Sequence, residues 1–259
     1  TGHTGFKGAW LAFILQSFGA EVTGYALRPL SSPNLFDLIN LDMNSIIGDV
    51  RDLENLYHAV EKSAPEIIFH LAAQPIVLEG YKNPVETYST NVMGTVNILE
   101  CVRRVESVKS FVNVTTDKVY RNNEWAWGYR ETDKLDGIDP YSNSKSCSEL
   151  LTKCYVRSFF CARDIAISTA RAGNVIGGGD FANDRIGNRA ALLLSQIVCF
   201  CCYFTYVAAN IRWFYVYDTR GGEHVVIHGY ARRLHAFCKA AMFVFHALLL
   251  SFSGVARQG

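Results

Sequence analysis

The sequence predicts an α/β protein built on a doubly wound parallel sheet. Short apolar segments alternate with amphipathic segments from the start of the chain to Ala170. This alternation is typical of β-α-β units, whose strands run parallel and whose crossovers are right-handed. The chain also opens on a glycine-rich stretch, T-G-H-T-G-F-K-G, that leads directly into an apolar helical run. A stretch of this kind follows a buried strand, so we expect the first strand of the sheet to be missing from this sequence.

Composition narrows the functional classes. The 259 residues fit one large α/β domain or two small ones, and a hydrophobic content of 49% is ample for a core. A net charge of +1 gives no reason to expect nucleic acid binding or attraction to an anionic membrane. The absence of a signal-peptide pattern and the scattered early cysteines predict a cytoplasmic protein. Cys199, Cys201 and Cys202 lack the paired spacing of a zinc site, so no metal is expected.

The opening glycines suit a loop that cradles a phosphate. Gly2 allows a tight turn with positive φ, Gly5 allows close approach of a phosphate, and Gly8 allows the helix to pack on the sheet. The first N–H groups of the helix would then point at a pyrophosphate, aided by the helix dipole. A glycine triplet is also found in ordinary turns, and that alternative stays open on this motif alone.

The remaining elements follow in order. We expect Asp52 to cap a helix over 53–62 and the apolar strand over 66–73 to be buried on both faces, with His70 a core residue. The predicted strands cover 21–27, 44–50, 66–73, 109–116 and 164–170, and the predicted helices cover 9–17, 53–62, 85–104 and 140–160.

Two polar residues near the ends of early strands have competing interpretations. Arg28 stands where an acid usually binds the adenosine ribose, and it could accommodate a 2′-phosphate or be a solvated surface residue. The choice between NAD and NADP therefore stays open at this position. Asp49 could accept a hydrogen bond from an adenine amine or could be a turn or capping aspartate.

The later part of the chain contains the reactive side chains. Ligands of such sheets bind at the carboxyl ends of the strands, where Thr115, Thr116, Asp117 and Lys118 are expected to lie. The loop over 120–139 is long and rich in aromatic residues, which favours a packed substrate flap over disorder.

Tyr141 and Lys145 form a Y-x-x-x-K pair at the start of a predicted helix. Their spacing of four puts both side chains on one helix face. An ammonium group beside a phenol lowers the pKa of that phenol, because the positive charge favours phenolate. The pair therefore predicts a base that can take a proton from a sugar hydroxyl near neutral pH.

These motifs together resemble the extended short-chain dehydrogenase/reductases and, within them, the nucleotide-sugar 4,6-dehydratases. The resemblance covers residues 1 to about 188 and implies a Rossmann-type fold. The segments that carry it are 1–8, 48–52, 70–75, 84–94, 115–118, 141–145 and 171–180. Its most specific part is Thr116-Asp117-Lys118, since most members carry Asp-Glu where the branch acting on CDP-glucose carries Asp-Lys.

The resemblance also implies the mechanism and the site. Tyr141 would take the proton of the sugar C4 hydroxyl, Lys118 the C5 proton, and Asp117 would protonate the departing C6 hydroxyl while Thr116 orients the sugar. The cofactor would be NAD, with implied contacts at Gly2, Thr4, Gly5, Phe6, Gly8, Asp49, Val50, Leu71, Ala72, Ala73, Asn91, Thr115, Tyr141 and Lys145. Gln74, Asn174 and Arg185 would bind the nucleotide sugar, with a surface salt bridge as the alternative for Arg185. A homodimer is expected.

The family pattern stops after Arg185, and the composition changes there. Residues 1–188 hold 18 basic and 22 acidic residues, whereas residues 189–259 hold 7 and 2. Residues 190–211 carry no charge. We expect a cofactor domain over 1–188 and an atypical tail over 189–259, with the substrate lobe absent or replaced. The tail favours translation out of frame, with a divergent short lobe and a membrane anchor as alternatives.

Two other functions stay open. A 4-epimerase or another dehydratase of the same fold would share the cofactor site and the Tyr141/Lys145 pair. An inactive dinucleotide-binding module is the alternative outside the enzymes, because the expected lobe is not found in the sequence.

Overall fold

A computed structural model describes residues 1–175 and 177–180. The strands are β1 (Thr23–Ala26), β2 (Asn44–Ile47), β3 (Ile67–His70), β4 (Ser110–Val114) and β5 (Ala166–Ala170). The helices are α1 (Phe6–Ser17), α2 (Leu35–Ile39), α3 (Leu53–Ser63), α4 (Val77–Lys82), α5 (Pro84–Tyr88), α6 (Gly94–Arg104) and α7 (Pro140–Tyr155). Two π-helical turns (Ser89–Met93 and Val156–Phe160) and a 3₁₀ turn (Asp117–Val119) complete the described elements.

All the paired strands run parallel. β1 pairs with β2, and β4 pairs with β3 on one side and β5 on the other. The backbone of residues 1–2 lies between the two groups: the Gly2 N–H donates to the Tyr25 carbonyl, and the Leu71 N–H donates to the Thr1 carbonyl. Successive strands are thus added outward in both directions from this point. The prediction of a doubly wound parallel sheet is confirmed, and a topological switch point lies at residues 1–2.

The core is formed where α3 and α6 pack together against the strands. Phe111 of β4, Leu56 of α3 and Ile98 of α6 have no exposed surface. The prediction that 66–73 is buried on both faces is wrong for the start of β3, because Ile67 is 47% exposed. Side chains alternate between faces along a strand, and the face that Ile67 shares with Phe69 is incompletely covered in the described part of the chain.

The long predicted helices are interrupted. The segment predicted as one helix over 85–104 is α5, a π-helical turn and α6, and the separate helix α4 precedes it. The helix predicted to reach residue 160 leaves the α-helical pattern after Tyr155. The predicted cap is confirmed, because the Asp52 carboxylate accepts a hydrogen bond from the Asn55 N–H. Asp139 caps α7 in the same way through the Ser142 N–H.

Among the helices in the described ranges, none has both the length and the apolar character needed to cross a bilayer. The uncharged segment 190–211, the rest of the predicted tail and Arg185 lie outside the described residues.

Candidate functional site

The glycine loop lies at the switch point and is built for close backbone approach. Gly2 has φ +79°, and a Cβ at this position would lie 2.7 Å from the Ala72 nitrogen. A Cβ on Gly8 would lie 2.0 Å from the Gly2 carbonyl oxygen, so neither position tolerates a side chain. Gly5 is the N-cap of α1, and no side chain caps this helix. The start of α1 is therefore open to an anion, and its predicted contact with a pyrophosphate stays a prediction. Beside it, the Thr4 hydroxyl donates to the Leu27 carbonyl.

Asp49 and Val50 follow β2 at the same edge of the sheet. The Arg51 side chain binds the Asp49 carboxylate through Nε and Nη2, and the Arg51 N–H donates to it as well. These hydrogen bonds hold the pKa of Asp49 below its usual value. Val50 is buried in the core, and its carbonyl accepts from the Asn97 amide. The structure places Asp49 in a turn, and its contact with adenine stays a prediction.

The loop after β3 is held from within by Asn91. Leu71, Ala72 and Ala73 are half-buried beside the glycine loop. Asn91, in the π-helical turn, accepts from the Gln74 N–H at 2.8 Å and donates to the Gln74 carbonyl at 3.0 Å. The Gln74 amide donates in turn to the Thr87 hydroxyl. Both side chains therefore hold the loop in position, and their predicted cofactor and substrate contacts stay predictions.

His70 ends β3 beneath this loop and is 1% exposed. It stacks on Phe111 with ring centroids 6.4 Å apart, as expected of a core residue. Its Nδ1 is hydrogen-bonded to the Thr1 hydroxyl, and its Nε2 has no hydrogen-bond partner within the described ranges. Burial lowers the pKa of His70 well below its usual value, with a further contribution from Lys145.

Thr116, Asp117 and Lys118 follow β4 and form one cluster. The Thr116 hydroxyl caps the 3₁₀ turn by accepting from the Lys118 N–H, and it donates to Asp117. The Lys118 ammonium lies 3.4 Å from Asp117 Oδ1 and 3.3 Å from Asn174 Oδ1. The Asp117 and Lys118 side chains are 55% and 40% exposed. The structure thus brings three predicted catalytic residues together with Asn174 at an open surface.

Helix α7 places Tyr141 and Lys145 one turn apart, as the spacing predicts. Tyr141 is half-buried, with Gly80 of α4 packed against its backbone. Lys145 is 4% exposed and donates to the Val114 carbonyl at 3.3 Å. Burial, followed by the charge of Lys7, lowers the pKa of Lys145 to about 7. A buried amine between β4 and α7 can therefore gain or lose its proton near neutral pH.

Residues after β5 return across the edge of the sheet to the glycine loop. Gly173 faces Asp117, where a Cβ would lie 3.4 Å from Oδ2. Gly177 lies against the ring of Phe6, and the Trp10 indole N–H donates to the Gly178 carbonyl. The segment therefore forms a rim that joins the Asp117 cluster to the predicted cofactor loop.

No sequence motif assigns a role to Glu149 or Arg171, which form an ion pair beneath the predicted catalytic residues, with side chains 4% and 16% exposed. Arg171 binds Glu149 through Nε and Nη2, each at 2.9 Å. The hydroxyls of Thr115 and Thr169 also donate to Glu149. Thr115 is thus turned into the interior, and its predicted cofactor contact stays a prediction. The signal available in the sequence was the spacing of four from Lys145 to Glu149, which puts them on one helix face.

The aromatic loop folds back as a hairpin, which we call the aromatic hairpin (residues 120–135). Tyr120 and Leu135 form an antiparallel bridge. The rings form a chain of contacts: Tyr120–Tyr129 and Trp125–Trp127 are stacked, with centroid distances of 5.0 and 5.1 Å, and Trp125–Tyr129 is tilted, at 5.3 Å. The loop is packed as expected, and its role as a substrate flap stays a prediction. The part of the chain that the structure describes contains no group of His, Cys, Asp and Glu side chains suited to a metal ion.

Comparisons with known proteins agree with this architecture. Phosphate-cradling glycines at a switch point and a Y-x-x-x-K helix define the class of extended short-chain dehydrogenase/reductases. The family described as GDP-mannose 4,6 dehydratase matches residues 1–187, and the chain belongs to this family.

Among its relatives, CDP-glucose 4,6-dehydratase of Salmonella typhimurium is 52% identical over 193 residues. These residues make up 72% of this chain and 54% of the relative. The chain therefore spans about half the length of the curated relatives that it matches.

Solved structures share the fold. A UDP-glucose 4-epimerase of Thermus thermophilus, solved in complex with NAD, has a TM-score of 0.58 and 27% identity over 68% of this chain and 54% of its own. The dTDP-glucose 4,6-dehydratase DesIV of Streptomyces venezuelae has a TM-score of 0.59 and 24% identity over 69% of this chain and 56% of its own.

Proposed function

We propose that the protein is a nucleotide-sugar 4,6-dehydratase that converts CDP-glucose to CDP-4-keto-6-deoxyglucose and water with NAD as cofactor. The observation that carries the proposal is the Asp117–Lys118 pair, held beside Asn174 at the carboxyl end of β4. An acid and a base side by side are what the removal of water across two adjacent carbons requires. The 52% identity to a CDP-glucose 4,6-dehydratase supports this choice of substrate.

The residues around the glycine loop fit NAD. Positions 2 and 8 exclude a Cβ, and α1 begins without a side-chain cap, which leaves room and N–H groups for a pyrophosphate. NAD held by this loop would supply redox chemistry, as acceptor of the C4 hydride and later as hydride donor to C6. Residues 71–73, Asn91, Tyr141 and Lys145 would line the path of the cofactor from this loop toward α7.

The chain's own residues move the protons. Tyr141 takes the proton of the C4 hydroxyl as the C4 hydride departs, and the ketone that results from both losses acidifies the C5 proton. Lys118 in its neutral form takes the C5 proton, and Asp117 in its protonated form gives a proton to the C6 hydroxyl, which leaves as water. In the structure the two groups are in ion-pair geometry. Their contact of 3.4 Å puts the proposed acid and the proposed base within reach of adjacent carbons of one sugar.

Thr116 and Asn174 orient this pair. The Thr116 hydroxyl donates to Asp117, and the Asn174 amide oxygen accepts from Lys118. These contacts leave both reacting groups open to solvent on one side, where a sugar can approach. We assign Asn174, Gln74 and Arg185 to substrate binding, as the family resemblance implies.

We also propose that the protein is a homodimer and that it acts in the cytoplasm. Val85, Met93 and Leu150 are 83%, 50% and 52% exposed on neighbouring parts of α5, the first π-helical turn and α7. An exposed apolar surface of this kind is typical of a subunit interface. Four free cysteines in the described residues agree with a reducing compartment. Sedimentation of the Leu150→Glu variant, which should be monomeric, tests the dimer.

The test of the activity is product formation by the full chain from CDP-glucose and NAD. We expect a 4-keto-6-deoxy sugar, whereas a 4-epimerase would give a sugar with an inverted hydroxyl and an inactive dinucleotide-binding module would give no product. Tyr141→Phe should abolish turnover while NAD binding, measured by fluorescence titration, stays within about twofold. Equal loss of turnover and NAD binding would contradict the role of Tyr141 as the base.

A further inference from the structure

The Glu149–Arg171 pair forms hydrogen bonds with several further residues in addition to those between the two partners. Glu149 is 4% exposed, and each of its carboxylate oxygens accepts one bond from Arg171 and one from a threonine hydroxyl. The threonines belong to the end of β4 and to β5, and Glu149 belongs to α7. One carboxylate therefore joins three elements of the site.

Arg171 extends this network into the aromatic hairpin. Its Nη1 donates to the Tyr120 hydroxyl at 2.8 Å and to the Glu131 carbonyl at 3.2 Å. Its guanidinium also lies 4.9 Å from the centroid of the Tyr120 ring. From Tyr120 a chain of ring contacts runs through Tyr129 and Trp125 to Trp127, which is 65% exposed. A continuous set of contacts thus runs from the surface of the hairpin to Glu149.

The inner end of this network borders the reacting residues. Thr115 directly precedes Thr116, and Glu149 lies one turn after Lys145 on the same face of α7. Two residues beyond Arg171, Gly173 faces Asp117. A shift of Arg171 would therefore displace the hairpin together with the end of β4.

We propose that the Glu149–Arg171 pair is a positioning element that couples the aromatic hairpin to the reacting residues on β4 and α7. The consequence for activity rests on the proposed function, whereas the coupling itself is a property of this structure. Only a planar guanidinium can bind one carboxylate through two N–H groups and still donate to two further acceptors. Lysine at position 171 could keep the charge but not this geometry.

The experiment compares Arg171→Lys with the wild-type full chain by near-UV circular dichroism and acrylamide quenching of tryptophan. Trp127→Phe identifies the part of the near-UV circular dichroism that comes from the stacked Trp125–Trp127 pair. We expect Arg171→Lys to lose most of this part of the spectrum. We also expect it to raise the acrylamide quenching constant of tryptophan fluorescence by about twofold. With CDP-glucose, kcat should fall by roughly 10- to 100-fold while KM changes by less than about threefold, because positioning acts on the reaction rather than on ground-state binding.

The matched control is Arg163→Lys. Arg163 also donates to backbone carbonyls, those of Val102 and Arg103, and also faces an aromatic ring, that of Phe160 at 5.6 Å. Arg163 packs against the last turn of α6, away from the proposed reacting residues. Its replacement should therefore leave both tryptophan signals and kcat unchanged. An equal effect of the two substitutions would overturn the proposal.

A second variant separates positioning from folding. The double variant Glu149→Leu with Arg171→Met replaces the pair by apolar side chains, which commonly preserves stability. We expect its unfolding midpoint to lie near that of the wild type while the stacked-tryptophan signal stays lost. A wild-type signal in this stable variant would overturn the coupling. Absence of dehydration in the wild-type chain would instead overturn the proposed function, and the spectroscopic result would still decide the coupling.

Discussion

Two ion pairs lie within the same site and differ in almost every respect. Asp117 and Lys118 meet through one contact of 3.4 Å, and their side chains are 55% and 40% exposed. Glu149 and Arg171 meet through two contacts of 2.9 Å, and their side chains are 4% and 16% exposed. The buried carboxylate has all of its hydrogen bonds satisfied by the protein, whereas the exposed one remains accessible.

The difference between the two pairs is consistent with two roles, proton transfer for the exposed pair and structural support for the buried one. An exposed pair contributes about 0–1 kcal/mol to stability, so either partner can change its protonation at little cost to the fold. A buried pair that loses one partner destabilises a protein by about 3–5 kcal/mol, because the remaining charge is left unpaired. The residues that we propose as acid and base therefore belong to the exposed Asp117–Lys118 pair, and the buried Glu149–Arg171 pair holds the surrounding elements.

The largest expected effect is a loss of kcat when the exposed Asp117–Lys118 pair is broken. Lys118→Ala removes the proposed C5 base and should lower kcat for dehydration by about 10²- to 10⁴-fold. The free energy of unfolding should change by less than about 1 kcal/mol, since the pair is exposed. Product formation and urea unfolding of the same preparation measure the two quantities.

Lys82→Ala is the matched control for this variant. Lys82 also pairs with a nearby carboxylate, that of Glu79 at 4.0 Å, and is also exposed. Its replacement should leave kcat unchanged. If Lys118→Ala releases water from the sugar at the wild-type rate, Lys118 is not the base.

A second buried cation sharpens the comparison. Lys145 is 4% exposed, the hydrogen bond described for its ammonium is to the Val114 carbonyl, and burial lowers its pKa to about 7. Between about pH 7 and 10.5 the unfolded chain binds more protons than the native one at this lysine, so its contribution to stability rises with pH. Lys145→Met should raise the free energy of unfolding by several kcal/mol at pH 6 and by progressively less toward pH 10.

Urea unfolding at pH 6, 8 and 9.5 measures this trend. The control is Lys62→Met, at an exposed position of α3, which should change the free energy of unfolding by less than about 0.5 kcal/mol. A gain from Lys145→Met that is equal at all three pH values would show that the ammonium is not penalised by burial.

The smallest expected effect comes from removing one hydroxyl group that donates a hydrogen bond to the Glu149–Arg171 pair. Thr169 donates to Glu149 at 2.8 Å, and Thr169→Val removes this bond while keeping the shape of the side chain. The expected loss is about 1–2 kcal/mol of unfolding free energy, because the acceptor is a charged and buried carboxylate. Thr23→Val, at an exposed position of β1, should cost less than about 0.5 kcal/mol. Equal costs would mean that Glu149 does not depend on this donor.

Much of the fold could be predicted because local patterns and tertiary structure agree. All five described strands lie within their predicted segments, and the Asp52 cap forms as the sequence indicates. The residues of the Asp117–Lys118 cluster could be identified because they are adjacent in sequence and follow a strand. Asn174, which lies in the segment after β5, could be added only through the family resemblance.

Other features depend on contacts that no local pattern records. The two hydrogen bonds from Arg171 to the aromatic hairpin join residues about 40 to 50 positions apart, so the sequence offered no signal for them. Val50 was predicted to contact the cofactor because of its motif, while its burial in the core depends on the neighbouring helix α6. The interruption after Tyr88 replaces a predicted continuous helix because Asn91 binds the loop at Gln74.

The π-helical turn at Ser89–Met93 holds one residue more than an α-helical turn would need. In terms of chain length it is equivalent to a single-residue insertion that the helix retains. Removing one residue at the turn would keep the two faces aligned but would lose the turn itself. Winding all the present residues into an uninterrupted α-helix from Pro84 to Arg104 would instead rotate one half against the other by about 100°. Either the Thr87–Gln74 contact or the buried face of α6 would then be lost. When two related sequences align with a one-residue gap at this point, the loop at Gln74 is therefore held by different contacts in the two proteins, even where the surrounding residues are identical.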